Sequence, residues 1–236
     1  MEGGGGSLEA PGRTIALIPA YQAAATVGDV VRGVRSLLPT VVVVDDGSSD
    51  ATAAAARAAG AEVVQHAVNR GKGAALVTGL SHLAAAGATH ALTLDADGQH
   101  LPSEMPALLA ASARAPRALV VGVRRKEGHT IRGINLIGNW VADRLMTWIA
   151  GTALPDTQSG FRIYPIAATL ALGAQGSRFD FETEILLRAA RAGIPLEGVP
   201  VVVHYPPVAE RVSHYRPWVD TVRIVRTVAR VLFRNG

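Results

Sequence analysis

Asp95-Ala96-Asp97-Gly98-Gln99 sets two carboxylates two residues apart beyond an apolar run, with a glycine that lets the chain turn and an amide oxygen after it. Hard divalent cations take oxygen ligands, and a site with few protein carboxylates keeps positions open for phosphate oxygens. Asp95, Asp97 and Gln99 therefore have the donor chemistry for a phosphate-bound cation, with His100 as a nitrogen ligand in reach; a turn rich in side-chain hydrogen bonds has the same composition. A second acid pair ends the run Val41-Val42-Val43-Val44-Asp45-Asp46-Gly47-Ser48. Two adjacent acids there can accept hydrogen bonds from a base or ribose, or form a pocket that accepts a phosphoryl group. The third feature is Asn69-Arg70-Gly71-Lys72-Gly73. It is not a P-loop, because no Ser or Thr follows the lysine. A glycine-flanked lysine that opens a helix can contact phosphate or pair with Asp46, and a plain surface turn reads the same.

These groups need a frame, and the pattern from Thr14 onward supplies one. Short apolar runs at Thr14–Ile18, Val41–Val44, Glu62–Gln65, His90–Leu94 and Ala118–Val123 predict strands. Helical spacing between them predicts helices at Thr26–Leu38, 51–59 (with Asp50 able to cap it), Gly73–Ala86 and Pro102–Ala113. Strands alternating with helices imply a parallel sheet with helices on both faces. Ligands of such sheets bind beyond the carboxyl ends of the strands. The polar clusters fall at those ends: Pro19-Ala20-Tyr21, Asp45-Asp46, Asp95-Ala96-Asp97 and Arg124-Arg125-Lys126.

The second half is less regular. Thr130–Ala150 reads as one helix, Gly151–Gly160 as a loop, Phe161–Tyr164 as a strand, Phe181–Ala192 as a helix, Val199–His204 as a last strand and Pro217–Phe233 as a terminal helix. Residues 1–12, with Gly3 to Gly6, read as a loose tail, 13–205 as one domain, and 206–236 as a loop plus an amphipathic helix.

The chain has 236 residues, 49% hydrophobic and 18% charged, which excludes a disordered or fibrous protein. It has no cysteine, which excludes disulfides, thiolate metal sites and a cysteine nucleophile and fits a reducing compartment. No run reaches the roughly 18 apolar residues of a membrane span, and the first residues lack the basic and apolar regions of a secretory signal. Charge is uneven: residues 1–113 carry 6 Lys and Arg against 10 Asp and Glu, and residues 114–236 carry 17 against 9. An acidic front and a basic back suggest two tasks.

Six motifs occur in order: Ile18-Pro19-Ala20-Tyr21, Val44-Asp45-Asp46-Gly47-Ser48, Asn69-x-Gly71-Lys72-Gly73, Asp95-Ala96-Asp97-Gly98-Gln99-His100, Gln158-Ser159-Gly160-Phe161-Arg162 and Phe181-Glu182-x-Glu184. Together they resemble the family 2 glycosyltransferases of the dolichol-phosphate mannosyltransferase type, over roughly residues 13 to 205. The resemblance implies a GT-A fold: an α/β, mostly parallel sheet flanked by helices, in a single nucleotide-sugar-binding domain. It implies that Pro19, Tyr21 and Asp46 hold the nucleoside of the donor, with Lys72 and Ala96 among the donor-binding positions. Asp95, Asp97 and Gln99 would hold Mg²⁺ or Mn²⁺ on its diphosphate. Arg124 and Arg132 stand where the family contacts an acceptor phosphate, and Arg162 and the Glu182 region would border the sugar and acceptor pocket. Position 23 is Ala where relatives often carry an acid on the base, which leaves GDP and UDP both open. Such enzymes often add C-terminal membrane helices, and none is expected here.

A family member of this type inverts the anomeric centre by direct displacement, with the cation drawing off the nucleoside diphosphate. A lipid-phosphate acceptor is already a nucleophile at neutral pH, since a phosphate monoester has its second pKa near about 6. Arginines would then matter more than a base. A hydroxyl acceptor on a glycan or lipid would need a carboxylate. Asp156 is the candidate base or acceptor-orienting group, and capping of its own loop turn is its alternative role. The basic second half favours the phosphate. In the terminal helix Arg223, Arg226, Arg230 and Arg234 share a face opposite Val222, Val225, Ala229 and Leu232, the pattern of an interfacial helix on anionic lipid and also of a core helix with a solvated face. The chain is thus expected in the cytoplasm, on the inner face of a membrane. Nucleic acid is not an expected partner, because few aromatics interleave with the arginines. A sugar nucleotidyltransferase would show glycine in the loop after the first strand, and none precedes Gly28 there. A receiver or a non-catalytic nucleotide-binding module also fits the acid pair Asp45-Asp46.

Overall fold

The structure, a computed structural model, describes residues 12–124, 154–176, 178 and 180–204. Residues 1–11 of the tail, the Thr130–Ala150 helix with Arg132, and everything predicted from 205 onward lie outside the described residues. The elements run β1 (Thr14–Ala20), α1 (Val27–Arg35), β2 (Val41–Asp45), α2 (Thr52–Ala58), β3 (Glu62–Gln65), α3 (Lys72–Ala85), β4 (His90–Thr93), a 3₁₀ turn (Pro102–Glu104), α4 (Met105–Arg114), β5 (Leu119–Arg124), β6 (Arg162–Pro165), α5 (Ile166–Ala171), α6 (Asp180–Arg191) and β7 (Leu196–Val201).

One sheet holds the seven strands in the order β3-β2-β1-β4-β6-β5-β7. Side chains alternate across it. Ala16, Ile18, Val41 and Val43 meet α1, α2 and α4 on one face, while Ile15, Leu17, Val42 and Val44 meet α3, α5 and α6 on the other. Both faces being covered is why these strands read as unbroken valine and isoleucine runs. Each fully buried Val, Leu or Ile contributes roughly 1.5–3 kcal/mol relative to exposure. Helix α1 buries Val27, Val30, Val31 and Val34, a stripe at helical spacing. Helix α3 lies close on β1, since a Cβ added at Gly79 would stand 2.3 Å from Leu17 Cδ1.

The short helix α5 was not expected from the sequence, and three further elements differ from the expectation. Residues 102–114 form a 3₁₀ turn and then α4, because Pro102 and Pro106 each remove an N–H and start a new helical segment. The last strand is Leu196–Val201, with Pro200 inside it. That proline is tolerated because, among the described residues, β7 is an edge strand paired only with β5. The residues beyond it, expected as strand, brace the Gln99-His100 segment: the His204 N–H donates to Gln99 O at 2.9 Å, and Val203 bridges His100. The third difference carries function. β6 is antiparallel to both β4 and β5. It therefore begins at the edge where its neighbours end, and it brings Ser159-Gly160-Phe161 to the rim that holds Asp95.

Candidate active site

The carboxyl rim of the sheet collects the ends of β1, β2, β4 and β5, the start of β6, and the first turns of α3 and α6. The pairing of β1 with β4 stops at Leu17↔Thr93, whereas its pairing with β2 runs on to Ala20↔Asp45. The rim between β1 and β4 is thus free of ladder bonds, and the Asp95 turn leaves from it. Pro19 lies buried in this stretch, where no β4 partner needs its missing N–H; Tyr21 stands half-buried at the tip.

Lys72 opens α3, and its Nζ lies 2.6 Å from Asp95 Oδ1 and 2.9 Å from Glu182 Oε1 at the start of α6. Lys72 and Glu182 are largely shielded, and Asp95 is partly open. Burial pulls the Lys72 ammonium down, but Asp95 and Glu182 beside it win and raise its pKa above the usual lysine value. Burial likewise pushes the Asp95 carboxyl up, and Lys72 with His100 and Arg124 more than reverses it. Asp97 has the opposite outcome. Burial, and then the charge on Asp95, push it up to about 6.

Gly160 makes this crowding geometrically feasible. A Cβ there would stand 2.6 Å from Asp95 Oδ2, so the backbone of the Gln158–Arg162 motif passes against the carboxylate. Thr93 Oγ1 donates to Gly160 O at 2.9 Å and holds that approach. The Gln99 N–H donates to Asp97 Oδ1 at 3.0 Å across Gly98, whose φ of +74° makes the turn. Ala96 is buried, and its carbonyl accepts from Thr26 Oγ1 at 2.6 Å, which ties the turn to α1.

This donor set fits a divalent cation. Asp97, Gln99 and Asp95 leave one strand end within a single turn, and the raised Asp97 would be relieved by positive charge. Among the described residues no group of three or more His, Cys, Asp or Glu could hold a metal ion unaided. A cation here would need ligands from elsewhere, such as diphosphate oxygens. His100, expected in reach as a ligand, is buried against Phe161 with ring centroids 5.2 Å apart. Burial pushes its pKa down to about 4, so the imidazole is neutral at pH 7.

Arg124, at the end of β5, is held by Asp156 through a two-pronged contact, Nε to Oδ2 at 2.6 Å and Nη2 to Oδ1 at 2.9 Å. Burial raises the Asp156 carboxyl, but the Arg124 hydrogen bonds and charge outweigh it and leave it below its ordinary value. A general base works best with a pKa near the working pH. The loop-turn cap also expected for Asp156 is present, since its Oδ1 accepts from the Gln158 N–H at 3.2 Å, and a carboxylate held below its ordinary value is poorly matched to the base role.

Two expected contacts take other roles. Arg162, expected at the edge of the sugar and acceptor pocket, is fully buried. Its guanidinium donates to the carbonyls of Ser159 at 2.7 Å, Glu182 at 2.7 Å and Thr157 at 3.0 Å, a staple between the start of β6 and α6. Arg162→Met should therefore destabilise the fold by at least about 3 kcal/mol, because three carbonyls lose their donor at about 1–3 kcal/mol each; chemical denaturation reads this. Asp46 is the second case. It is buried, and the ion pairs of Lys72 run to Asp95 and Glu182 instead. It accepts from the Arg70 N–H at 2.9 Å, the Gly71 N–H at 2.7 Å and His66 Nδ1 at 2.7 Å. Asp45 is likewise committed inward, to the Ser48 N–H and Gln65 Nε2.

Other bracing residues carry little signal in the sequence. Gln22, at φ +52°, clasps Ser49 and Asp50 through its amide and joins the loops after β1 and β2. Asp50, expected as a helix cap, accepts from the Thr52 N–H at 3.0 Å. Glu184, the second acid of its motif, is buried and accepts from the Gln175 and Gly176 N–H groups and from Arg188, which orders the approach to α6. His66 also had a readable cue, a lone histidine directly after a strand.

The model of the family described as Glycosyl transferase family 2 matches residues 15–169. The chain belongs to glycosyl transferase family 2. The match spans β1 to β6 and so takes in the Asp95 turn and its β6 neighbour. The UDP-N-acetylglucosamine–dolichyl-phosphate N-acetylglucosaminyltransferase of Methanococcus voltae is 27% identical over 212 residues, 80% of this chain and 84% of that one. The undecaprenyl-phosphate mannosyltransferase of Micrococcus luteus is 28% identical over 208 residues, 80% of this chain and 82% of that one. Among solved structures, glucosyl-3-phosphoglycerate synthase of Mycobacterium tuberculosis, in complex with Mn²⁺, UDP and glucosyl-3-phosphoglycerate, superposes with a TM-score of 0.73 at 22% identity, over 96% of this chain and 81% of that chain. The sheet is that of a GT-A glycosyltransferase, and this family 2 protein is a glycosyltransferase that takes its sugar from a nucleotide-sugar.

Proposed function

We propose that this family 2 enzyme transfers a sugar, with inversion and with Mg²⁺ or Mn²⁺, from a GDP- or UDP-sugar to a polyprenyl phosphate at the cytoplasmic face of a membrane. The observation that carries the reading is the juxtaposition at one rim of an acid turn suited to a cation, Asp95 to Gln99, with an arginine held by a carboxylate, Arg124 on Asp156. The names of the Methanococcus and Micrococcus relatives support the lipid-phosphate acceptor. Among the described residues no helix is long and apolar enough to cross a membrane, so the lipid would be met at a surface.

Asp95, Asp97 and Gln99 would hold the cation, which when bound supplies charge neutralisation for the departing diphosphate. Lys72 keeps Asp95 ionised and adds positive charge beside it. Arg124, aligned by Asp156, would set its positive charge toward the acceptor phosphate. Arg132 would join it there, and Pro19 and Tyr21 would flank the nucleoside. One phosphate oxygen then forms the new bond to the anomeric carbon as the bond to the diphosphate breaks and its electron pair leaves with the nucleotide. No proton need be removed, in keeping with an Asp156 that is a weak base.

Asp156→Asn would loosen Arg124 and should raise KM for the lipid phosphate about tenfold or more while donor affinity holds. Steady-state kinetics with each substrate varied in turn reads the split. Protons compete with metal at Asp97, so at limiting Mn²⁺ the donor should bind about tenfold more weakly at pH 5 than at pH 7. The test of the whole reading is a calorimetric panel of UDP- and GDP-sugars with and without Mn²⁺, followed by transfer assays on polyprenyl phosphate, 3-phosphoglycerate and a glycan hydroxyl. Metal-independent binding, or transfer only to the hydroxyl, defeats it.

A further inference from the structure

Asp46 and His66 have a use that the donor and acceptor do not explain. The six residues His66 to Gly71 connect β3 to α3, and one buried carboxylate closes both ends of that loop. Asp46 Oδ1 takes the His66 Nδ1 hydrogen at 2.7 Å and the Arg70 N–H at 2.9 Å, while Oδ2 takes the Gly71 N–H at 2.7 Å. The other ring nitrogen of His66 lies 3.0 Å from Thr78 Oγ1, two turns into α3. Both side chains of the His66–Asp46 pair are about 95% shielded, at 5% and 4% exposure. Gly47, at φ +73°, allows the loop to pass, since a Cβ there would stand 2.5 Å from the Val68 carbonyl carbon. Directly after the clamp comes Lys72, bridging Asp95 and Glu182.

We infer that His66 is a positioning residue: by donating from Nδ1 to Asp46 it fixes the carboxylate that clamps Arg70 and Gly71, and so sets where Lys72 stands in the donor site. The inference rests on the donor-binding reading for its consequence, though not for its geometry. A carboxylate with three donors and no exposed edge is over-determined in orientation. Removing the imidazole donor leaves it free to rotate, and two backbone N–H groups at the start of α3 then lose their acceptor.

The two amide replacements separate the ring nitrogens. An Asn side chain reaches where Nδ1 reaches, and a Gln side chain reaches where Nε2 reaches. His66→Asn keeps a donor for Asp46, and His66→Gln keeps only the contact to Thr78. Hydrogen exchange of the Arg70 and Gly71 amides, measured without ligand, should stay close to wild type in His66→Asn and run about tenfold faster in His66→Gln. The apparent Kd for the nucleotide-sugar with Mn²⁺ should follow the same order, with wild-type binding restored only by Asn. Equal exchange rates in the two variants, whether both fast or both slow, overturn the clamp. If exchange separates them but wild type itself binds no nucleotide-sugar, the clamp stands and the donor-site reading fails. Should His66→Gln not fold, Thr78→Val supplies the complement: it keeps the Asp46 bond and should leave both amides protected, and fast exchange in it overturns the assignment.

Discussion

Asp97→Asn is expected to lower kcat/KM by about a hundred- to a thousandfold and, at pH 8, to make the protein more stable. The loss follows from taking a charged oxygen from the turn that would hold the cation, where a single preorganised electrostatic contact is worth about 3–4 kcal/mol in the transition state. The gain follows from the raised carboxyl. Asp97 titrates near 6 in the fold against an ordinary 3.8, because it is buried beside the negative Asp95. A carboxyl whose folded pKa is raised costs stability once the unfolded chain ionises, and the cost grows from about pH 4 to about pH 6 and is constant above. The asparagine removes that cost, about 2 kcal/mol at pH 8 and close to nothing at pH 4. Its carbonyl can still accept from the Gln99 N–H, so the turn survives. Denaturation at the two pH values, beside kinetics, tests both halves. A variant that is inactive and equally destabilised at both would show Asp97 to be structural.

Lys72→Met should act in the reverse sense on stability. The ammonium is the near counter-charge of both Asp95, at 2.6 Å, and Glu182, at 2.9 Å. Breaking a shielded ion pair by removing one partner costs about 3–5 kcal/mol, because the remaining charges stay buried. Asp95 is partly open, so about 3 kcal/mol is expected at pH 8, equal to a fall in Tm of about 6–12 °C for a chain of this size. In the wild type the raised lysine contributes below its ordinary pKa and is lost only when pH rises through its folded value, so its contribution is flat across neutral pH. The depressed Asp95 contributes above 3.8 and is lost as pH falls. Without Lys72 the Asp95 carboxyl loses the charge that holds it down and takes a proton more readily. The defect should therefore shrink as pH falls below neutrality, and the melting curves of variant and wild type should converge only below about pH 3.8, where the wild-type Asp95 contribution is itself lost. A defect that does not change with pH would place the stabilisation in the methylene packing instead.

The two substitutions touch residues two elements apart, and opposite signs are expected because of one neighbour, Asp95. It is the acid that raises Asp97 and that Lys72 neutralises. A metal ion at the turn would act on the same balance, which is why pH and metal dependence are expected to move together.

Much of this was legible in the residues. The β-branched runs, the polar clusters at their ends and the glycines that turn the chain announce a layered α/β sheet with chemistry at one rim, because side-chain period and backbone sterics are local properties. The Asp95-to-Gln99 turn and the Lys72 helix start were visible for the same reason, and the Glu182 motif through the family resemblance. What sequence order could not assign was which opposite charges meet. On paper Lys72 was placed with a phosphate or with Asp46; in the structure its partners are Asp95 and Glu182, at a rim where the antiparallel β6 sets Gly160 against Asp95 and Arg162 reaches the start of α6. Arg162 and Asp46 look like ligand contacts in one dimension and are buried braces in three, since a charged group's task depends on whether backbone donors or acceptors reach it before solvent does. Local chemistry set the inventory of this site; strand direction and burial, both consequences of the whole chain packing at once, set the pairing.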